Sequence, residues 1–244
     1  GLVVRCLMKE EGACHLELKR IRIVKNKLLR IARIGLPAGL QSTVFSISNV
    51  LIQSSVNSFG STAMAGNTAA GNIEGFVYNA MNAFYQTNLS FTSQNYGGGK
   101  RDRIPKITIY ALVLVCIVGL AFGCGAYAAS GTLLRIYTDS EEVIAIGRLR
   151  MRYIAVPYFL CGIMDTLVGS VRGLGYSILP MVVSLTGACL LRVVYIYTIF
   201  AANHTLDCLY VSYPISWALT ASVHFICLMF IWKKKLKKTA VTGS

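Results

Sequence analysis

From Ile107 to Ser130 the chain reads ITIYALVLVCIVGLAFGCGAYAAS, without one charged residue. A bilayer's hydrocarbon core takes roughly 20 apolar residues per helix, so this stretch predicts a membrane-spanning helix. Between Arg33 and Glu74 there is again no charge, but the run is too long for one span, and NSFGST at Asn57 to Thr62 supplies turn residues. It divides into a helix over about 36–57 and another that starts near Thr62. Stretches at about 153–171, 178–201 and 210–232 complete a set of six, interrupted by Gly173 and Gly175 and by NHTLD at Asn203 to Asp207. The pattern predicts an all-α, polytopic membrane protein. A basic cytoplasmic linker or amphipathic segment over 1–33 precedes a six-helix transmembrane lobe over 34–232 and a basic cytoplasmic tail over 233–244.

The first two spans differ from the others in carrying polar faces. At 100° per residue, Ser42, Ser46, Asn49, Gln53 and Asn57 fall within an arc of about 80°, and so do Asn72, Asn79, Asn82, Gln86, Ser90 and Ser93 on the second span. An unsatisfied amide in lipid costs several kcal/mol, so both faces must meet protein or water. Ser, Asn and Gln can bond across a helix pair at about 0.6 to 2 kcal/mol each, which suits two or three residues. Eleven on two adjacent spans predict the wall of a hydrated cavity.

Composition agrees with the bilayer as solvent: of 244 residues 55% are hydrophobic and 14% charged, with mean hydropathy +0.57, which excludes an ordinary soluble domain. The net charge of +14 does not point to nucleic acid, because its distribution follows membrane topology. Lys and Arg stay on the cytoplasmic side. With six spans, the nine basic residues of the N-terminal segment, the GGGKRDRIPK turn, Arg172 and the terminal lysines share one side, while Asp139, Glu141, Glu142 and Asp207 lie on the other. Both ends are therefore expected in the cytoplasm, with Arg135, Arg148, Arg150 and Arg152 against the rule. His15 to Arg33 mixes basic and aliphatic residues and suits an amphipathic helix on an anionic leaflet, with membrane lipid as partner. The eight cysteines lie mostly in apolar spans with no CxxC pair, the pattern of small buried hydrophobes. No HExxH, paired Asp or Ser/His set indicates an enzyme. The chain opens on Gly with no signal peptide, and is expected to be a fragment.

Ionisable groups inside spans are costly and by default functional. Asp165, in CGIMDTLVGSVRG, lies near mid-span in the fourth helix with no basic partner evident in sequence; it is the first candidate to exchange a proton or hold a cation. Glu74 lies near the outer end of the second span and points away from the Asn stripe, which leaves interfacial and coupling roles open. Arg192, deep in the fifth span, suits a structural ion pair or contact with an anionic ligand. His224 is expected to be a packed, neutral histidine.

Three stretches, RIGLPAGLQSTVF at Arg33 to Phe45, FTSQNYGGGKRDR at Phe91 to Arg103 and VRGLGYSILPMVVSLTGACLLRVVYIYTIF at Val171 to Phe200, resemble in order and spacing the carboxy-terminal half of multidrug and toxic compound extrusion (MATE) transporters. The resemblance runs from Arg33 to Trp232. It implies one six-helix lobe of a twelve-helix secondary transporter in a plasma membrane, the bacterial inner membrane. Such a protein rocks between outward-open and inward-open states, exporting cationic or amphipathic small molecules in exchange for protons or sodium, with no cofactor. The missing amino-terminal lobe, or a second half-transporter, would be the partner. The family's carboxylate in the first helix of this lobe corresponds to Phe45, and its fourth-helix carboxylate lies nearer Cys161, one turn from Asp165 and on the same face. Coupling would thus fall to Asp165 and Glu74, and the cavity to Ser42, Ser46, Asn49, Gln53, Asn72, Asn79, Asn82, Gln86 and Arg192. A lipid-linked sugar flippase of the same superfamily would hold a pyrophosphate with basic groups such as Arg192; the Asn/Gln stripes and one deeply placed Arg favour a cationic or neutral solute. In a non-transporting membrane subunit the polar faces would be helix contacts.

Overall fold

In the computed structural model, which describes residues 2–10, 15–18 and 22–235, every regular element is helical. A short α1 (Leu2–Lys9) precedes two long helices, α2 (Lys25–Asn57) and α3 (Ser61–Gly97). They meet at the predicted NSFGST turn, where Gly60 has φ 91°, a conformation that favours glycine. α4 (Ile104–Ala128) and α5 (Ser130–Arg135) follow. Next, α6 (Glu141–Tyr153) leads through a 3₁₀ turn at Val156–Tyr158 into α7 (Phe159–Gly173). The fifth span joins α8 (Ile178–Ser184) and α9 (Leu191–Tyr195), each continued by a π-helical segment, Leu185–Leu190 and Ile196–Phe200. α10 (Leu206–Lys235) ends the described chain.

Among the described residues, four segments are long and apolar enough to cross a membrane: Arg101–Ala128, Glu141–Gly173, Ile178–Phe200 and Leu206–Lys234. α2 and α3, with 33 and 37 residues, have the length but not the apolarity, because the Ser, Asn and Gln stripes run along them. The fold is an all-α polytopic membrane fold.

Two boundaries differ from those expected. α2 begins at Lys25, so the basic stretch expected as linker as far as residue 33 is continuous with the first long helix; no Gly or Pro interrupts Lys25 to Ile34, and Pro37 is accommodated inside the helix. The rest of the expected linker is described only over 2–10, 15–18 and 22–24, and the expected tail lies outside the described residues from 236 onward. The second difference is that the fourth span extends back to Glu141, because α6 and α7 are separated only by the turn at Pro157. Polar residues hide the start of α6, but Val143, Ile144, Gly147 and Met151 recur on one face and are buried.

α3 is the central helix, packed against α7, α4 and α6. Asn88 ties three of them together: its Nδ2 donates to the Thr166 carbonyl oxygen at 2.7 Å and to Ser170 Oγ at 2.6 Å, while Ser170 Oγ is 2.8 Å from Thr108 Oγ1. Asn88 lies about 160° around α3 from Asn72, so helix-joining polar groups and the polar stripe occupy opposite faces. Small residues set the spacing elsewhere. On α4, Gly119 and Gly123 form a GxxxG pair against the α6–α7 junction, and a Cβ on Gly123 would run into the Ala155 carbonyl oxygen.

Gly123→Ala is expected to destabilise the protein by about 1 to 3 kcal/mol through overpacking. Gly125→Ala, on the same helix with nothing within 4 Å of the added methyl, is expected to leave stability nearly unchanged. Thermal unfolding of the two variants in detergent compares them directly, and equal effects would count against close packing at Gly123.

Candidate functional site

From their common turn α2 and α3 lean on different neighbours, α2 on α8 and the π segment that follows, α3 on α7, α4 and α6. Between them lies a cavity of about 860 Å³, backed by α6, α7 and α10. Polar side chains link the two helices at two levels. Near the turn, Asn67 Nδ2 donates to Gln53 Oε1 at 2.7 Å. Roughly 18 Å further along α2, Arg172 of α7 reaches both helices, donating from Nη1 to Tyr85 Oη and from Nη2 to Gln41 Oε1, each at 2.7 Å.

Most of the stripe residues expected at a cavity are in its wall. Ser42, Asn49 and Gln53 line it from α2, and Asn72, Asn82 and Gln86 from α3. Ser42, Asn49, Asn72 and Gln86 are also exposed, so the wall is open on that side. Ser46, Asn57, Asn79, Ser90 and Ser93, which share the stripes, do not line it. Ser46 lies within the α2 arc but donates to its own helix at the Ser42 carbonyl oxygen, 3.0 Å away. Asn79 is exposed beside the wall positions Tyr78 and Asn82. The cavity uses a broader strip of each helix than the polar stripe, taking in Gln41, Phe45 and Ile52 on α2 and Glu74, Tyr78 and Tyr85 on α3, so position on a helical wheel does not by itself select the wall.

Glu74 has a different setting from the interfacial one left open by its position. It is 3% exposed, and Arg150 of α6 clamps its carboxylate, with Nε 3.0 and 3.2 Å from the two oxygens and Nη2 2.7 Å from Oε2. Arg150 Nη1 also donates to Asn67 Oδ1, and the guanidinium lies over the rings of Tyr210 and Tyr213 at 5.8 and 6.0 Å. A buried fork-to-carboxylate pair with its other donor satisfied is a fixed structural unit. It also accounts for one of the arginines that depart from the charge rule: Arg150 is not in a loop but turned inward from a helix, while Arg148 and Arg152 are exposed.

The remaining charges of the wall are not clamped in this way. Asp165 faces the cavity without a hydrogen bond or ion pair to any described residue, and the charge acting on it is that of Arg172. Arg172, expected in a cytoplasmic turn, is the last cation of α7 and lines the cavity. Arg192 is 3% exposed. Its Nε donates to Ser216 Oγ at 2.7 Å, and its guanidinium lies 4.3 Å from the Tyr213 ring centroid and 5.6 Å from that of Trp217. The structural ion pair considered for it is not formed with any described carboxylate. His224 is buried, as expected, with Nε2 3.1 Å from Ser184 Oγ.

Sequence reasoning missed the contributions of Asn67, Arg150, Arg172, Tyr158, Tyr213 and Trp217 to this wall. Tyr213 and Trp217, one turn apart on α10, pack edge to face at 5.6 Å, and Tyr158 meets Trp217 at 5.1 Å. Only Arg150 carried an advance signal, its position on the wrong side of the charge rule.

The family model MatE matches residues 37–198. Among curated proteins, the chain is 23% identical over 219 residues to "Probable multidrug resistance protein YoeA" of Bacillus subtilis, covering 88% of this chain and 47% of that protein. It is 22% identical over 154 residues to "Probable multidrug resistance protein NorM" of Thermotoga maritima, covering 63% and 33%. The chain thus spans about half or less of the length of these relatives. A solved structure described as the "outward-facing conformation of a multidrug resistance MATE family transporter of the MOP superfamily" superposes with TM-score 0.85 at 19% identity, over 97% of this chain and 53% of that one.

Breaking the buried pair by Glu74→Gln or by Arg150→Met is expected to cost about 3 to 5 kcal/mol, because each leaves a charge or polar group uncompensated. Replacing both together, Glu74→Met with Arg150→Met, is expected to restore much of that loss. Thermal unfolding of the three variants measures the coupling; additive losses would exclude a clamped pair.

Proposed function

Because this chain belongs to the MatE family, we propose that it is one lobe of a secondary active efflux transporter that exports amphipathic small organic molecules in exchange for protons or sodium. The lobe works with a second, the amino-terminal half of a longer polypeptide or another half-transporter. The protein is multi-pass, and in this reading it lies in the plasma membrane with Lys and Arg clusters, and both ends, in the cytoplasm.

Asp165 carries this reading. In a wall where Glu74 is locked by Arg150, Asp165 is the carboxylate left without an ion-pair partner, and it faces a volume large enough for a small organic molecule. A proton or sodium ion bound there removes an uncompensated charge, so binding stabilises the arrangement of lobes that encloses the group. A substrate that favours the other arrangement then drives the exchange, since only ligands with differential affinity can shift the equilibrium. The open side of the cavity, with its exposed Asn and Gln side chains, is the face on which the second lobe closes.

Arg150 and Arg172 join Arg192 in the wall, against the carboxylates of Glu74 and Asp165, which supports a solute that carries an anionic group as well as the cationic or neutral one that the Asn/Gln stripes favour.

Asp165→Asn in the complete native polypeptide, reconstituted in vesicles, is expected to lower ion-gradient-driven dye transport at least tenfold, with Asp165→Glu retaining a measurable part. Unchanged gradient-driven transport in Asp165→Asn would remove this residue from coupling.

A further inference from the structure

The charges of the wall can be assigned one by one. Arg150 is neutralised by Glu74. Arg172 is held by Tyr85 and Gln41 and is the cation acting on Asp165. Arg192 remains, as deeply buried as Glu74 but without a carboxylate. A guanidinium keeps its charge under all ordinary conditions, so it cannot relieve its burial by losing a proton. Ser216 and the rings of Tyr213 and Trp217 orient the group, yet a hydroxyl and two ring faces carry no formal negative charge. Nη2 is buried with no hydrogen-bond partner among the described residues. A buried, oriented, positively charged donor in a cavity wall is complementary to an oxyanion.

We propose that Arg192 is the anion-binding subsite of this cavity: it takes a carboxylate or similar oxyanion of an amphipathic substrate, whose aromatic or aliphatic body lies against Tyr213, Trp217 and Tyr158. This rests on the reading of the chain as part of a transporter, and it deepens that reading by naming the head group. The Nε edge of the guanidinium is occupied by Ser216, which leaves the terminal nitrogens for the ligand. Tyr213 and Trp217 sit on the same helix as Ser216, so α10 supplies both the support for the cation and the apolar surface beside it. Asp165 is on α7 and Arg192 on α9, with Cys161 within the reach of both charges, so a substrate oxyanion and a coupling ion would be held by different residues of one wall. A substrate that carries both charges, a zwitterion, would be accommodated without forcing like charges together.

The test compares rhodamine B, which has a free carboxylate, with its ethyl ester, the same ring system without that charge. Binding to the complete, detergent-purified polypeptide is measured by fluorescence anisotropy. The wild type is expected to prefer rhodamine B by about tenfold or more. Arg192→Gln is expected to bring the ratio to about one, and Arg192→Lys to retain an intermediate preference; monodisperse elution establishes that each variant is folded. A wild-type preference for the ester, or no preference, overturns the proposal without recourse to any variant, and so does a preference that survives in Arg192→Gln. If phosphatidylglycerol stabilises the wild type against heating but not Arg192→Gln, while the dyes are not distinguished, the arginine serves a lipid head group and the proposal fails. Gradient-driven uptake of the two dyes by proteoliposomes is measured alongside. Transport without a carboxylate preference defeats the anion subsite alone, whereas a preference in binding without gradient-driven transport defeats the transporter reading alone.

Discussion

Hydrocarbon offers no hydrogen bonds, and the arrangement of this lobe follows from that constraint. Every polar group brought into the membrane must find a partner in the protein or face water. α3 meets the requirement in both ways. On one side Asn88 is consumed by Thr166 and Ser170 and locks α3 to α7; on the other, Asn72, Asn82 and Gln86 face a cavity. One helix therefore serves as the structural centre of the lobe and as the wall of its wet interior. Close approach at glycines such as Gly123 supplies the contact between helices that the hydrophobic effect does not supply within lipid.

The same constraint separates the charges into fixed and responsive ones. Glu74 and Arg150 satisfy each other, with Asn67 completing the guanidinium's partners and continuing to Gln53 on α2. This ties α2, α3 and α6 together near the α2–α3 turn, the natural anchor for a rigid body. Asp165 and Arg192, in contrast, have oriented but unneutralised charges. A group already paired gains little from a ligand, while an unpaired one gains much, so in the proposed transporter the latter are the groups through which a bound ligand would bias the lobe arrangement.

Arg172 gives α2 and α3 a second tie. It holds Tyr85 of α3 and Gln41 of α2 far from the turn at which those helices join. Because its charge also acts on Asp165, a change in the state of Asp165 alters the field on a residue that spans the cavity. The coupling candidate and the tie between the walls are thus in electrostatic contact, through the last turn of one helix.

Periodicity and length alone determined the all-α membrane fold, the turn at Gly60 and the polar faces of α2 and α3, because span length and helical repeat are local properties of the chain. The placement of Asp165 and Arg192 inside apolar runs was legible for a similar reason: a charge in such a run is conspicuous wherever it points. The roles of Glu74, Arg150 and Arg172 were not. Glu74 belongs to a pair whose other half is 76 residues away, and Arg172 looked like a loop cation until α7 turned it into the cavity. Ser46 and Asn79 shared the stripes but not the wall, since a helical wheel fixes direction and says nothing of where a neighbouring helix stands. Only the tertiary structure decided which charges neutralise one another, because in a medium of low dielectric that outcome depends on distances between helices remote in sequence.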